Sequence, residues 1–192
     1  MPDPNPAALA FLETRRSRPA KTLAAPAPDR EALKRLLTIA ARTPDHGKLE
    51  PWRFLVLEKP ALQRLAGTLA ATGEALGLAA EKIEKEVDTF ARGTLAVVVV
   101  ASPKPSEKIP QIEQILSAGA VCMQLINAAL ADGWGANWLS GWASHDPDWR
   151  ERHLGLMPHE SIAGIIHIGT ETAAPPERPR PDLDAITEWI EA

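Results

Sequence analysis

Cysteine, tyrosine and long apolar runs are scarce or absent in this sequence of 192 residues. Its single cysteine, Cys122, excludes an intrachain disulfide bond and suits a reducing compartment. No stretch approaches the roughly 20 apolar residues of a membrane-spanning helix. The N-terminal segment places its acidic residue before its arginines, which is the reverse of a secretory signal. Together these features predict a cytoplasmic protein without a membrane partner.

The chain also lacks an excess of positive charge. Its formal net charge is -4, which disfavours a general role in binding nucleic acid or anionic membranes. A hydrophobic fraction of 45% and a charged fraction of 24% are ordinary for a globular protein. The length suits one large domain or two small ones.

Familiar catalytic and metal-binding motifs are missing as well. The five histidines have no metal-binding spacing, and one cysteine cannot supply a zinc site. Gly133 and Gly135 form G-x-G, but Trp138 stands where a dinucleotide fingerprint needs its third glycine. There is no Walker loop and no nucleophile elbow. The sequence therefore predicts no metal and no catalytic side chain, and we expect His167 to be a core residue.

The most informative segment is RTPDHGKLEPWRFLVLE, residues 42–58, which predicts a helix end, a loop and a strand. Pro44 ends the helix, and the run after Pro51 has the composition of a strand. The loop carries Arg42 and His46, and cations on a loop between rigid elements are typical of a site for an anionic small molecule. A basic surface loop that merely joins two core elements explains the same spacing.

A second basic cluster, RRSRP at residues 15–19, follows a short predicted helix. Arginine forks match phosphate oxygens and a serine hydroxyl adds a donor, so Arg15, Arg16 and Ser17 form a candidate phosphate site. A solvated basic patch is the alternative, and it is favoured for as long as this cluster stands alone.

Hydrophobic periodicity predicts a mixed order of helices and strands. The run at 95–101 is almost entirely valine and alanine and predicts a strand buried on both faces. Residues 111–133 predict the most apolar helix, whose small residues at 117–120 allow a backbone or flat ring to approach. The fold class is therefore α+β or mixed α/β, with helices on both faces of one sheet. We expect residues 20–28 to be an extended linker.

Four segments, taken in order, resemble the nitroreductase family and most of all its short, YdjA-like bacterial branch. They are RRSRP at 15–19, RTPDHGKLEPWRFLVLE at 42–58, IPQIEQILSAGAVCMQLINAALADGWGANWLSGW at 109–142 and GTETAAPPERPRPDLDAITEW at 169–189. The resemblance implies a nitroreductase-like fold with a central, mainly antiparallel sheet of four or five strands. It also implies a single domain over 1–192, an obligate homodimer with FMN at the interface, and a C-terminal arm, about 170–192, that reaches the partner.

The same resemblance implies the flavin contacts residue by residue. Arg15, Arg16 and Ser17 would hold the phosphate or ribityl chain, while Arg42 and His46 would contact the flavin, one of them across the interface. Trp138, Leu139 and Ser140 would lie along the isoalloxazine ring, and Arg178 or Arg180 would also meet the phosphate. The stretch matched to the nicotinamide cofactor consists of Ala128, Ala129, Leu130, Ala131, Asp132 and Gly133.

The implied activity is that of an FMN-dependent NAD(P)H oxidoreductase. Hydride would pass from NADH or NADPH through flavin N5 to a nitroaromatic, a quinone or another electron-poor small molecule. His46 is a flavin-positioning residue or a proton donor in this scheme. The alternatives are an FMN-binding dimer with little turnover, serving storage, sensing or partner binding, and a structural dimer whose basic loops are mere surface.

Overall fold

The computed structural model describes residues 3–191, which form five strands and seven α-helices. The strands are β1 (Leu23–Ala24), β2 (Trp52–Glu58), β3 (Leu95–Ala101), β4 (Gly135–Leu139) and β5 (Ser161–Glu171). The helices are α1 (Pro6–Thr14), α2 (Arg30–Ala40), α3 (Lys59–Ala75), α4 (Ala80–Arg92), α5 (Gln111–Ala131), α6 (Pro147–Leu154) and α7 (Leu183–Ile186). Short 3₁₀ turns occupy Ala20–Thr22, His46–Lys48 and Trp142–His145.

The five strands form one antiparallel sheet centred on β5. One edge of β5 pairs with β3, and its other edge pairs first with β4 and then with β1. Because β3 also pairs with β2, the strand β2 is one edge of the sheet, and β4 with β1 is the other. The predicted sheet of four or five mainly antiparallel strands is confirmed.

Strand β3 shows why helices must cover both faces of the sheet. All of its residues are buried, and its side chains alternate between the two faces. Val97 and Val99 pack with α2 and α5, whereas Val98 and Val100 pack with α3, α4 and α6. His167 on β5 is only 3% exposed, and burial lowers its pKa to about 4, as expected of a core histidine.

Helix α5 lies across the first of these faces. By length and composition alone it could cross a membrane, but half of its most apolar stretch is buried inside the protein. Ala118, Val121 and Leu125 are fully buried against the sheet, which is the behaviour of a core helix. The helix ends where Gly133 adopts a positive φ of 87°, a conformation that favours glycine.

One local expectation needs correction. Residues 20–28 are not simply a linker, because Leu23 and Ala24 pair with the end of β5. Helix α4 begins at Ala80, because α3 continues to Ala75 and Gly77 then turns the chain with a φ of 67°. The C-terminal helix is a single turn, Leu183–Ile186, because one turn without buried contacts does not propagate.

Candidate functional site

The first candidate cluster, residues 15–18, lies along the edge of β4 that does not pair with β5. The Arg18 backbone N–H donates to the Ala136 carbonyl at 2.8 Å, and the Asn137 side chain donates to the Arg18 carbonyl at 2.8 Å. These contacts fix the backbone of the cluster against β4. The Arg18 side chain forms an ion pair with Glu171 at 3.2 Å, so its charge is already balanced.

Arg15 and Arg16 lack such a balancing carboxylate within residues 3–191. Arg15 donates to the Ser17 hydroxyl at 3.2 Å and Arg16 donates to the Pro176 carbonyl at 2.9 Å. Their Nε atoms are buried and have no hydrogen-bond partner within residues 3–191. Burial lowers the pKa of Arg15, and the charges of Arg180, Arg16 and Arg18 lower it further. Unpartnered donors and mutual repulsion together describe a site that an anion would complete.

The C-terminal arm supplies one of these charges. Arg180 is close enough to Arg15 to repel it, although it also pairs with Glu177 at 2.9 Å in an exposed contact. Arg178 contributes a backbone hydrogen bond to the Glu177 carboxylate. Of the two arginines proposed for the phosphate, Arg180 is the one whose charge lowers the pKa of Arg15.

The segment Trp138–Ser140 continues from the same cluster along β4. Trp138 is 37% exposed, and its indole lies over Gly164 of β5, where any Cβ would overlap the ring. Leu139 is half-buried and Ser140 is exposed. An exposed aromatic side chain next to a basic cluster suits a planar ligand that carries a negative charge.

The loop after α2 is anchored at the other edge of the sheet, before β2. The Ser117 hydroxyl donates to the Pro44 carbonyl at 3.0 Å, and His46 Nδ1 lies 2.7 Å from a Glu113 carboxylate oxygen. The loop backbone has positive φ at Gly47 and also at Lys48 and Glu50, where φ is 54° and 47°. Non-glycine residues in this region are strained, and such strain concentrates at functional sites.

The structure therefore brings together some predicted site residues and separates others. Arg15, Arg16, Ser17, Trp138 and Arg180 belong to the β4 edge, whereas Arg42 and His46 belong to the β2 edge. Strands β4 and β2 are three positions apart in the sheet, or about 14 Å at the usual strand spacing. Within one copy of the chain, the strands that support the two groups therefore lie apart.

The stretch matched to the nicotinamide cofactor forms the end of α5. Ala128 and Ala129 are buried in the core, and Leu130 packs against it. Asp132 accepts hydrogen bonds from Arg35 at 3.2 Å and from the Trp134 indole at 3.3 Å. These contacts are those of a helix end that holds the fold together, and a nicotinamide role for this stretch stays a prediction.

Sequence reasoning missed several residues that the structure places at these sites. Glu113 pairs with His46, and Glu86 of α4 packs against Gly141, directly after Ser140. The sequence shows both as ordinary carboxylates on polar helix turns. No local pattern singles out Glu113, because its contact with His46 joins residues that are 67 positions apart.

Comparison with known proteins gives a consistent result. The profile of the Nitroreductase family matches residues 12–170. The "Putative NAD(P)H nitroreductase YdjA" of Escherichia coli is 36% identical over 163 residues, which is 85% of this chain and 87% of that protein. A Nitroreductase-like Family Protein from Bacillus cereus superposes with a TM-score of 0.77 at 24% identity, over 100% of both chains. A Desulfovibrio desulfuricans protein described as a "putative nitroreductase in complex with FMN" gives 0.74 at 20% identity, over 98% and 99%.

Proposed function

The chain belongs to the nitroreductase family, and on this basis we propose that it binds FMN and reduces electron-poor small molecules with NADH or NADPH. The family places it among oxidoreductases, and the proposed acceptors are nitroaromatics and quinones. A nitroreductase of the same fold has been crystallised with FMN. The flavin, when bound, supplies the hydride chemistry, which agrees with a sequence that predicts no catalytic side chain.

The observation that carries this proposal is the pair of buried, unpartnered guanidinium nitrogens in Arg15 and Arg16. A flavin phosphate brings close to two negative charges and three acceptor oxygens. Such a group would satisfy both nitrogens and offset the repulsion that lowers the pKa of Arg15. We propose that Arg15, Arg16 and Ser17 bind the phosphate, with Arg180 of the arm beside them.

The isoalloxazine ring would extend from this phosphate site along the exposed part of β4. Trp138, Leu139 and Ser140 supply one aromatic, one apolar and one hydroxyl side chain over about 7 Å at the end of β4. A positive charge near the ring would stabilise the reduced flavin, which carries negative charge. Arg42 is exposed and available for that role, but only from another copy of the chain.

We therefore propose a homodimer in which the loop carrying Arg42 and His46 meets the partner's β4 edge. The outer side of α5 supports this arrangement, because Ile112, Leu116 and Met123 are 59%, 64% and 41% exposed. An apolar stripe on a helix whose other side is buried is typical of a subunit interface.

The C-terminal arm supports the same arrangement. Leu183, Ile186, Trp189 and Ile190 are all more than two thirds exposed in a single copy. We propose that the chain is one domain and that this arm, from about residue 170, covers apolar surface on the partner. The outer edge of β2, which pairs with no other strand of residues 3–191, offers the arm backbone hydrogen bonds.

The proposal is tested with purified full-length protein in three measurements. The protein should elute as a dimer, carry about one FMN per chain, and lose its yellow colour under anaerobic conditions when NADH or NADPH is added. A panel of nitroaromatics and quinones should then restore the colour. A protein that takes up no FMN is a structural dimer, and one that keeps its colour with both donors is a flavin-holding protein without reductase activity.

A further inference from the structure

Glu86 is a half-buried carboxyl group on α4 that no assigned role uses. Its carboxylate packs directly on Gly141, because a Cβ built at Gly141 would overlap the carboxyl atoms. One helical turn earlier, the Lys82 carbonyl accepts a hydrogen bond from the Trp142 indole at 3.4 Å. Two contacts thus hold α4 against the backbone that follows Trp138–Ser140.

This carboxylate has no partner of its own. Within residues 3–191 no hydrogen bond and no ion pair reaches it, and Lys85 is the one charge that influences it. Burial raises the pKa of Glu86, and the attraction of Lys85 opposes that rise only in part. The carboxylate oxygens are not fully buried, so solvent can donate to them, and a ligand that displaces this solvent must supply a donor in its place.

The position of Glu86 indicates which group of a ligand could donate a hydrogen bond to its carboxylate. The proposed ring site runs along Trp138–Ser140 and ends at Gly141, where the carboxylate lies. An oxidised isoalloxazine presents acceptor atoms almost everywhere along its polar edge, and its one N–H donor is the imide N3–H. A carboxylate offers acceptors only, so the imide is the part of the ring that it matches.

We propose that Glu86 accepts a hydrogen bond from the imide N3–H of the bound flavin and so fixes the orientation of the ring. This inference rests on the proposed function, since it requires FMN at the β4 edge. The carboxylate also places a negative charge near the part of the ring that becomes negative on reduction. Glu86 therefore disfavours the reduced flavin, and its removal raises the midpoint potential.

The test compares FMN with N3-methyl-FMN, which lacks the imide proton. Full-length protein is freed of flavin, and the dissociation constant of each flavin is measured by fluorescence quenching for the parent, Glu86→Ala and Glu86→Gln. Glu84→Gln is the matched control, because Glu84 is an exposed carboxylate two residues away on the same helix. Midpoint potentials of the bound FMN are measured for the same four proteins.

The parent and Glu84→Gln should bind FMN roughly tenfold or more tightly than N3-methyl-FMN. Glu86→Ala should bind the two flavins equally, and Glu86→Gln should keep part of the preference because its amide oxygen still accepts. Both Glu86 variants should raise the midpoint potential, and Glu84→Gln should not. Equal binding of both flavins by the parent overturns the role of Glu86 and leaves FMN binding intact. Failure of the parent to bind either flavin overturns the proposed function itself.

Discussion

Arg53 and Arg15 are both half-buried arginines, but only one of them has a carboxylate partner. Arg53 on β2 forms two hydrogen bonds with Glu160, at 2.7 and 2.6 Å, and the Glu160 side chain is 3% exposed. Arg15 has a serine hydroxyl as its side-chain partner, and three other arginines lie near it. Within residues 3–191 the chain thus neutralises the Arg53 guanidinium with a carboxylate and leaves the Arg15 guanidinium without one.

The pKa values of these groups shift in opposite directions for this reason. The hydrogen bonds that Arg53 donates to Glu160 raise the pKa of Arg53, and the same contact lowers the pKa of Glu160 to about 2. Burial and neighbouring positive charges lower the pKa of Arg15. Breaking a buried ion pair costs stability because it leaves one charge without a partner, whereas an anion that binds beside a repelled arginine would stabilise the folded state.

The largest effect should come from breaking the internal pair. Glu160→Ala should lower the free energy of unfolding by about 3 kcal/mol, because it leaves Arg53 unpaired and removes the acceptor of the Met157 N–H. The value lies at the low end for buried pairs, since 37% of the Arg53 side chain is exposed. Urea denaturation measures it. A loss below 1 kcal/mol would show that solvent already satisfies Arg53.

Removing the repelled Arg15 should weaken flavin binding without lowering the stability of the flavin-free protein. Arg15→Ala with Ser17→Ala should leave the flavin-free protein as stable as the parent, or slightly more stable, because repulsion is relieved. Its dissociation constant for FMN should rise roughly tenfold to hundredfold. Isothermal titration and urea denaturation of one preparation separate the two effects. Equal flavin affinity in variant and parent would contradict the phosphate assignment.

Acid should weaken the internal pair over a defined range of pH. The Glu160 carboxyl has an ordinary pKa of 4.5 and a folded pKa of about 2, so its stabilisation is complete above pH 4.5 and is lost as the pH falls towards 2. The loss should amount to about 3 kcal/mol. Glu160→Gln should lack this component. If the free energy of unfolding changes equally with pH in the parent and in Glu160→Gln between pH 4.5 and 2, this prediction is wrong.

The smallest effect should distinguish the two arginines of the C-terminal arm. Arg180→Ala should weaken FMN binding severalfold, because Arg180 lies near Arg15 and gives up only an exposed pair with Glu177. Arg178→Ala is the matched control, and it should change the dissociation constant less than twofold. The reverse ranking would assign the phosphate contact to Arg178.

Local pattern was enough to predict the core elements. The β-branched run at 95–101 is a strand buried on both faces, and the helix at 111–131 covers one of these faces. Both predictions are confirmed because buried strands and helices have a characteristic apolar composition and a characteristic spacing of apolar residues. The short strand β1 was missed, since two residues carry no period and pair only with a distant strand.

The candidate site was predictable only in its separate pieces. The sequence shows that Arg15, Arg16 and Ser17 are adjacent and that an aromatic residue stands at position 138. The approach of Arg180 to Arg15 and the seating of Glu86 on Gly141 are not visible, because each joins elements far apart along the chain. Local spacing carries no information on such contacts.

The sequence by itself determined which groups could bind an anion, since guanidinium chemistry belongs to the residue wherever it lies. It also determined the layered fold, because the spacing of apolar residues gives each strand and helix an apolar face that must be buried. Tertiary structure decided which arginines remain available. Arg18 and Arg53 meet carboxylates from distant segments, and within residues 3–191 Arg15 and Arg16 do not. Charge balance in a folded chain depends on distances in space, and these arise only when the sheet and its covering helices are assembled.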